Sequence, residues 1–146
     1  MAERKDRVLF AEDNGQYIES YKASLEKAGF EVTHVCDGQY IEKELIIREK
    51  DYFDVILSDT EMDFINGPEA VRGALEKGLL DDSRTLIIGI SSDSDNQQYW
   101  RELAHHSCFY DKDYFPHEAI GGKIKQCLKN FRSGGMWTFK MPKISR

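Results

Sequence analysis

The chain has 146 residues, 40% hydrophobic and 32% charged, with 20 Lys and Arg against 26 Asp and Glu and a net charge of −6. That length suits one domain with an adequate core and leaves no room for an attached output module, and no apolar run approaches the ~18 residues of a membrane span. Three cysteines, an odd and sparse set, argue for a reducing, cytoplasmic setting over a disulfide scaffold. The start Met1–Arg7 does not read as a signal peptide, and the acidic total argues against nucleic acid.

Short apolar runs alternate with amphipathic stretches. Arg7–Ala11 reads as a buried strand. Ile18, Tyr21, Leu25 and Ala28 recur at helical spacing, and Gly29 stops that helix at the C′ position. Glu31–Val35 alternates and is β-branched, hence a strand. Gln39–Glu49 reads as a helix with Ile41, Leu45 and Arg48 on one face, and Asp54–Ser58 as the next buried strand. Gly67-Pro68 opens a helix whose apolar face is Ala70, Val71, Ala74 and Leu75. Thr85–Ile90 is the most hydrophobic strand. Asp93 or Asp95 caps a helix running to about His105, Cys108–Tyr110 is a short strand, and Pro116 opens the last helix. Ile120, Ile124, Cys127, Leu128 and Phe131 form that helix's stripe, and Ser133-Gly134-Gly135 breaks the chain. The expected class is α/β, with βα repeated five times: a parallel five-stranded sheet, doubly wound, with helices on both faces and right-handed crossovers. The expected division is a folded body over 1–132 and a tail over 133–146.

Ligands of open parallel sheets bind beyond the carboxyl ends of the strands, near the point where strand order reverses. Glu12-Asp13 follow the first strand, Asp59 the third, Ser91-Ser92 the fourth and Lys112 the fifth. Two carboxylates about 4 Å apart repel by about 4 kcal/mol at an effective dielectric of ~20, so three need a cation or a raised pKa. All-oxygen donors with open positions suit Mg²⁺, and an ammonium and a hydroxyl beside it suit a phosphoryl group. Each residue also has a plain structural reading. Asp13 or Asn14 could simply cap the next helix, and a lone Ser91 or Lys112 carries nothing. Asp59 ends an apolar run, where an unpaired carboxylate is costly. Joint placement at four strand ends carries the signal.

This set resembles the receiver domain of two-component response regulators, over roughly residues 6–130. Glu12-Asp13 match the family's acidic pair. Val55-Ile-Leu-Ser-Asp59 matches the phosphoacceptor segment, with Gly67 eight residues on. Ser91 after Ile-Ile-Gly-Ile matches the switch hydroxyl, and Lys112, with Phe109 three residues before it, matches the lysine and switch aromatic. The resemblance implies a flavodoxin-like fold with strand order 2-1-3-4-5, an order taken over from the family and not read from this sequence. It implies Asp59 as the nucleophile toward a phosphohistidine of a histidine kinase or phosphotransfer protein. It implies Mg²⁺ on Glu12, Asp13, Asp59 and the backbone carbonyl of Glu61, Lys112 on a phosphoryl oxygen, and Ser91 and Phe109 as moving parts. Such a protein is a phosphoacceptor, not a conventional enzyme. It would signal by conformational change and protein contact, without direct DNA contact and with homodimerisation on phosphorylation open.

Several positions depart from the family. Asp63 and Asp113 stand where Pro is usual, His105 where Gly is usual and Ser92 where Ala is common. A cis bond before a non-proline residue costs about 2.5–4 kcal/mol, so Lys112–Asp113 is either trans with a shifted loop or strained. Glu61 and Asp93 flank the path of a hydrolytic water and bear on phosphoryl lifetime. Two rivals remain: a non-phosphorylated interaction module on the same fold, and an aspartyl-nucleophile phosphatase suggested by Asp59-Thr-Glu61.

The remaining features read structurally. Cys36, Cys108 and Cys127 pack as small hydrophobes. His34, His105, His106 and His117 lack metal-ligand spacing, and Ser92–Asn96 is a loop and cap. The tail is basic. Residues 131–146 hold Arg132, Lys140, Lys143, Arg146 and no acid, leaving a net of −10 on the first 130. Met136, Trp137, Phe139 and Met141 make it apolar enough to pack on its own body or on a partner.

Overall fold

A computed structural model describes residues 4–103 and 107–134. Five strands alternate with five helices: β1 Arg7–Ala11, α1 Gly15–Lys27, β2 Glu31–Val35, α2 Gln39–Ile47, β3 Val55–Asp59, α3 Gly67–Glu76, β4 Leu86–Ser91, α4 Gln97–Arg101, β5 Ser107–Asp111 and α5 Ile120–Ser133. All pairings are parallel and the order is β2-β1-β3-β4-β5, the doubly wound arrangement expected. The order reverses between β1 and β3, which opens a crevice at their carboxyl ends.

Period-two alternation divides the core into two layers. Val8, Phe10, Val55, Leu57, Leu86, Ile88, Ile90, Cys108 and Tyr110 face α1 and α5, meeting Tyr21, Leu25, Ile120, Ile124 and Leu128. Leu9, Ala11, Ile56, Ile87 and Phe109 face the other way, meeting Ile41, Val71, Ala74 and Trp100. β1, β3 and β4 are therefore apolar on both faces, which is why they read as continuous hydrophobic runs. On the first layer, α5 approaches α1 closely enough that a Cβ at Gly121 would lie 2.1 Å from the Ser24 carbonyl oxygen. Ser24 Oγ accepts from the Gly121 N–H at 2.9 Å and donates to the Glu118 carbonyl at 2.8 Å.

Several boundaries differ from expectation. α2 stops at Ile47; Arg48 is extended and exposed, paired with Glu44 at 3.3 Å and set over the Tyr52 ring, so it leaves the apolar stripe. β3 starts one residue later, a boundary difference only, since the Asp54 N–H still donates to the Arg7 carbonyl at 2.8 Å and its carbonyl accepts from the Leu86 N–H at 3.0 Å. Its carboxylate is held by the Arg7 N–H at 2.8 Å, Arg4 at 2.8 and 3.2 Å and Arg132 at 3.0 Å. β3 and β4 run on to include Asp59 and Ser91. α4 is far shorter than the predicted helix to His105. Asp93 caps a 3₁₀ turn over Ser94–Asn96, and only Trp100 of α4 is buried. The Ser107 hydroxyl takes the Trp100 carbonyl, an acceptor that a longer helix would use. Pro116 caps a 3₁₀ turn, His117–Ala119, ahead of α5, and Gly134 (φ 78°) ends α5. The Lys112–Asp113 bond is trans. The cysteines form no disulfide; Cys108 and Cys127 are buried with Sγ atoms 4.0 Å apart. The expectations placed on residues 136–146 and on His105 and His106 lie outside the described residues.

Candidate functional site

Glu12, Asp13, Asp59, Ser91 and Lys112 are each delivered by a strand end, whereas Phe109 lies within β5 and Glu61 in the loop after β3. The Glu12 N–H donates to the Val35 carbonyl at 3.1 Å, continuing the β1–β2 ladder one step past β1, and the side chain is fully buried. Asp13 is exposed beside it. Asn14 caps α1, accepting from the Gln16 N–H at 3.0 Å, so Asp13 is not spent on the cap. Asp59 closes β3, and its Oδ1 accepts from the Thr60 N–H at 2.9 Å. The loop after it folds back tightly. The Gly67 N–H donates to the Thr60 carbonyl at 2.9 Å, and a Cβ on Gly67 would lie 2.1 Å from the Asp59 carbonyl oxygen. Only glycine fits there.

Lys112 follows β5, and its N–H donates to the Ser91 carbonyl at 2.9 Å. Its side chain is buried, which an ammonium tolerates only when paired. Nζ lies 2.9 and 3.0 Å from the two Glu12 oxygens and 3.1 Å from Asp59 Oδ1, with the Tyr17 ring face 4.1 Å away. One ammonium thus faces two carboxylates, with a third close by. One oxygen from each of Glu12, Asp13 and Asp59 lies within 4.8 Å of the others. Burial, then the Asp59 charge, pushes the Glu12 carboxyl up to about 7 against the pull of Lys112. Burial also raises Asp59, opposed by Lys112 and the Thr60 N–H. The cluster is short of positive charge, and three carboxylates open to solvent on the Asp13 side suit a hard divalent cation.

Ser91 is buried at the end of β4, where its Oγ accepts from the Asp93 N–H and from Asn96 Nδ2, both at 3.0 Å. Phe109 is buried in the α2–α4 layer with Trp100. Glu61 and Asp93 are exposed, and the Asp93 carboxylate is committed to capping the 3₁₀ turn through the Asp95 N–H at 2.9 Å. Sequence reasoning missed Tyr17, Asn96 and Trp100, which reach the site through side-chain contacts, and Thr60, whose hydroxyl links the site to Trp100. The one legible trace was Gly89 inside an apolar strand, where a Cβ would lie 2.2 Å from the Trp100 indole.

No protein-family model and no curated protein matches the chain. Solved structures do. The chemotaxis response regulator CheY4 of Vibrio cholerae superposes with a TM-score of 0.70 at 21% identity, over 84% of this chain and 98% of that one. A CheY-like receiver domain from Methanospirillum hungatei gives 0.72 at 18% identity, over 90% and 99%. The receiver domain of a sensor histidine kinase from Pseudomonas aeruginosa, solved with magnesium coordinated in its active-site cleft, gives 0.69 at 19% identity, over 88% and 98%. The chain has the fold of a response-regulator receiver domain. The acidic cluster lies at the carboxyl edge of its sheet, in the crevice that fold uses for ligands. No described helix is long and apolar enough to cross a membrane.

Proposed function

We propose that the protein is a phosphoacceptor: Asp59 takes a phosphoryl group from a phosphohistidine on a histidine kinase or phosphotransfer protein, and the change is read by protein contact. The observation that carries this is the Lys112 ammonium held between Glu12 and Asp59 at the ends of β5, β1 and β3. Glu12, Asp13 and Asp59, with the Glu61 backbone carbonyl, would hold Mg²⁺. When bound, the ion neutralises the transferring oxygens and the carboxylate cluster.

In this reading Oδ1 of Asp59 stays anchored by the Thr60 N–H and Oδ2 attacks phosphorus. An O–P bond forms, the P–N bond breaks, and its electron pair remains on the donor imidazole, which leaves neutral because its other ring nitrogen carries a proton. Asp59 loses its carboxylate charge and gains a dianionic phosphoryl. Lys112 then exchanges a carboxylate partner for a phosphoryl oxygen a short distance away. Ser91 turns from the Asp93 and Asn96 donors toward another oxygen. Phe109, in the same core layer as Trp100, is the aromatic assigned to respond to that turn.

Incubation with acetyl phosphate and Mg²⁺, followed by intact mass measurement, tests the reading. A phosphoryl mass gain that disappears with a chelator and in Asp59→Ala is expected. Undiminished modification of Asp59→Ala would remove Asp59 as nucleophile. No modification of the parent, from acetyl phosphate or any phosphohistidine donor, would favour the interaction-module reading.

A further inference from the structure

Thr60 stands between the site and α4, with all its polar atoms engaged. Its N–H is shared between Asp59 Oδ1 at 2.9 Å and the Ile90 carbonyl at 3.0 Å. Its hydroxyl donates to the same carbonyl at 3.0 Å and accepts from Trp100 Nε1 at 2.8 Å. Thr60 and Trp100 are both buried. The indole sits in a slot made by two absent side chains: a Cβ at Gly89 would lie 2.2 Å from it, and one at Gly67 3.0 Å. Trp100 is the one buried residue of α4, and Tyr99 beside it is 48% exposed. The position of this five-residue helix therefore depends on a side chain that ends on the neighbour of Asp59. The same segment meets the site a second time, where Asp93 and Asn96 hold Ser91.

We propose that the Trp100–Thr60 hydrogen bond couples Asp59 to α4, making Trp100 a positioning residue through which the state of the carboxylate sets the placement of the Tyr99 surface. The inference rests on the reading of Asp59 as phosphoacceptor. Ionised Asp59 is a charge-assisted acceptor for the Thr60 N–H, a bond about twice as strong as a neutral one. Phosphorylation moves that charge from the carboxylate to the phosphoryl oxygens. The Thr60 N–H then transfers its share to the Ile90 carbonyl, where it competes with the Thr60 hydroxyl. The hydroxyl is also the acceptor for the indole, so its reorientation alters the hold on α4.

The experiment uses the full chain carrying Trp137→Phe, which leaves Trp100 as the only tryptophan. Indole emission and intact mass are recorded on the same samples with acetyl phosphate and Mg²⁺, for that parent and for Thr60→Val and Thr60→Ser. The parent emission is expected to change on phosphorylation. Per phosphorylated molecule, the change falls by about five-fold in Thr60→Val, which loses both hydrogen bonds of the hydroxyl, to the Ile90 carbonyl and from the Trp100 indole, and returns in Thr60→Ser. An equal change in Thr60→Val, or no change in a phosphorylated parent, overturns the coupling alone. A parent that gains no phosphoryl mass overturns the reading of Asp59, and the coupling with it. If Thr60→Val does not fold, Trp100→Phe is compared with the parent by hydrogen exchange of residues 94–103. Loss of the phosphorylation-dependent change is expected there, and its persistence overturns the proposal.

Discussion

Removing the ammonium from the site tests its electrostatics most sharply. Lys112→Met keeps most of the side-chain volume and deletes a charge that meets three carboxylate oxygens at 2.9, 3.0 and 3.1 Å. Glu12 and Asp59 are then buried together with no cation between them. Breaking a buried pair by removing one partner costs about 3–5 kcal/mol, because the remaining charge is left uncompensated. Here the carboxylates have an escape, since either can take up a proton. Glu12 already titrates at about 7 in the parent, above its ordinary value of 4.5. Losing Lys112 removes a group that lowers it and drives it higher still. A carboxyl raised in the folded state binds its proton there first, so folding gains stability as pH falls from about 7 toward 4.5. The penalty of Lys112→Met is therefore about 3 kcal/mol or more at pH 8 and shrinks to about 1 kcal/mol near pH 5. Urea unfolding of parent and variant across that range measures it. Added Mg²⁺ at pH 8 should recover part of the loss, by occupying the emptied site. A penalty independent of pH would refute the coupled-carboxylate reasoning, and so would one near zero at pH 8.

Mg²⁺ binding should release protons and weaken as pH falls below about 7, since the ion competes for the Glu12 carboxylate; calorimetry in two buffers of different ionisation enthalpy measures this, and a buffer-independent heat would contradict it. Asp54→Asn should cost about 1–3 kcal/mol at pH 7, because Arg4, Arg132 and the Arg7 N–H all converge on this carboxylate. Despite its burial, Arg4 and the Arg7 N–H hold the Asp54 carboxyl below its usual range, so the parent keeps that benefit above the ordinary carboxylate pKa and loses it as pH falls through the depressed one. Acid titration of stability should thus narrow the gap between parent and Asp54→Asn, and a gap that widens in acid would be the wrong sign. Gly89→Ala places a Cβ where the Trp100 indole lies, at 2.2 Å, and should cost about 3 kcal/mol, read as a lowered Tm with a change in near-ultraviolet circular dichroism.

Much of the fold was legible because its signals are local. The alternation that splits Val8 and Phe10 from Leu9 and Ala11 is written in the residue order, and so are the Gly29 stop and the Pro68 start. Legibility failed where one long-range contact outweighed local pattern. The role of the Asp54 carboxylate is not readable, because nothing nearby in the sequence reveals that Arg4 and Arg132 claim it. The predicted helix to His105 overshoots because Trp100 is the one buried residue of α4, leaving no apolar period to mark its end. The strand ends gave Glu12, Asp13, Asp59, Ser91 and Lys112 as one group, since a parallel sheet brings them to the same edge. Glu12 as the principal partner of Lys112 was not readable, because the two lie 100 residues apart and meet only across β1, β3, β4 and β5. Tyr17 over Lys112 and the Thr60 hydroxyl under Trp100 are invisible for the same reason: both contacts are side-chain geometry, which spacing does not encode.

The most direct measurement locates the phosphoryl group itself. Protein treated with acetyl phosphate and Mg²⁺ is quenched with borohydride, which reduces an aspartyl phosphate to homoserine, and the digest is sequenced by tandem mass spectrometry. Homoserine at position 59, absent when Mg²⁺ is chelated, is the expected result. Homoserine at another position, such as 13 or 54, or none in a sample shown to be phosphorylated, would contradict the assignment of Asp59.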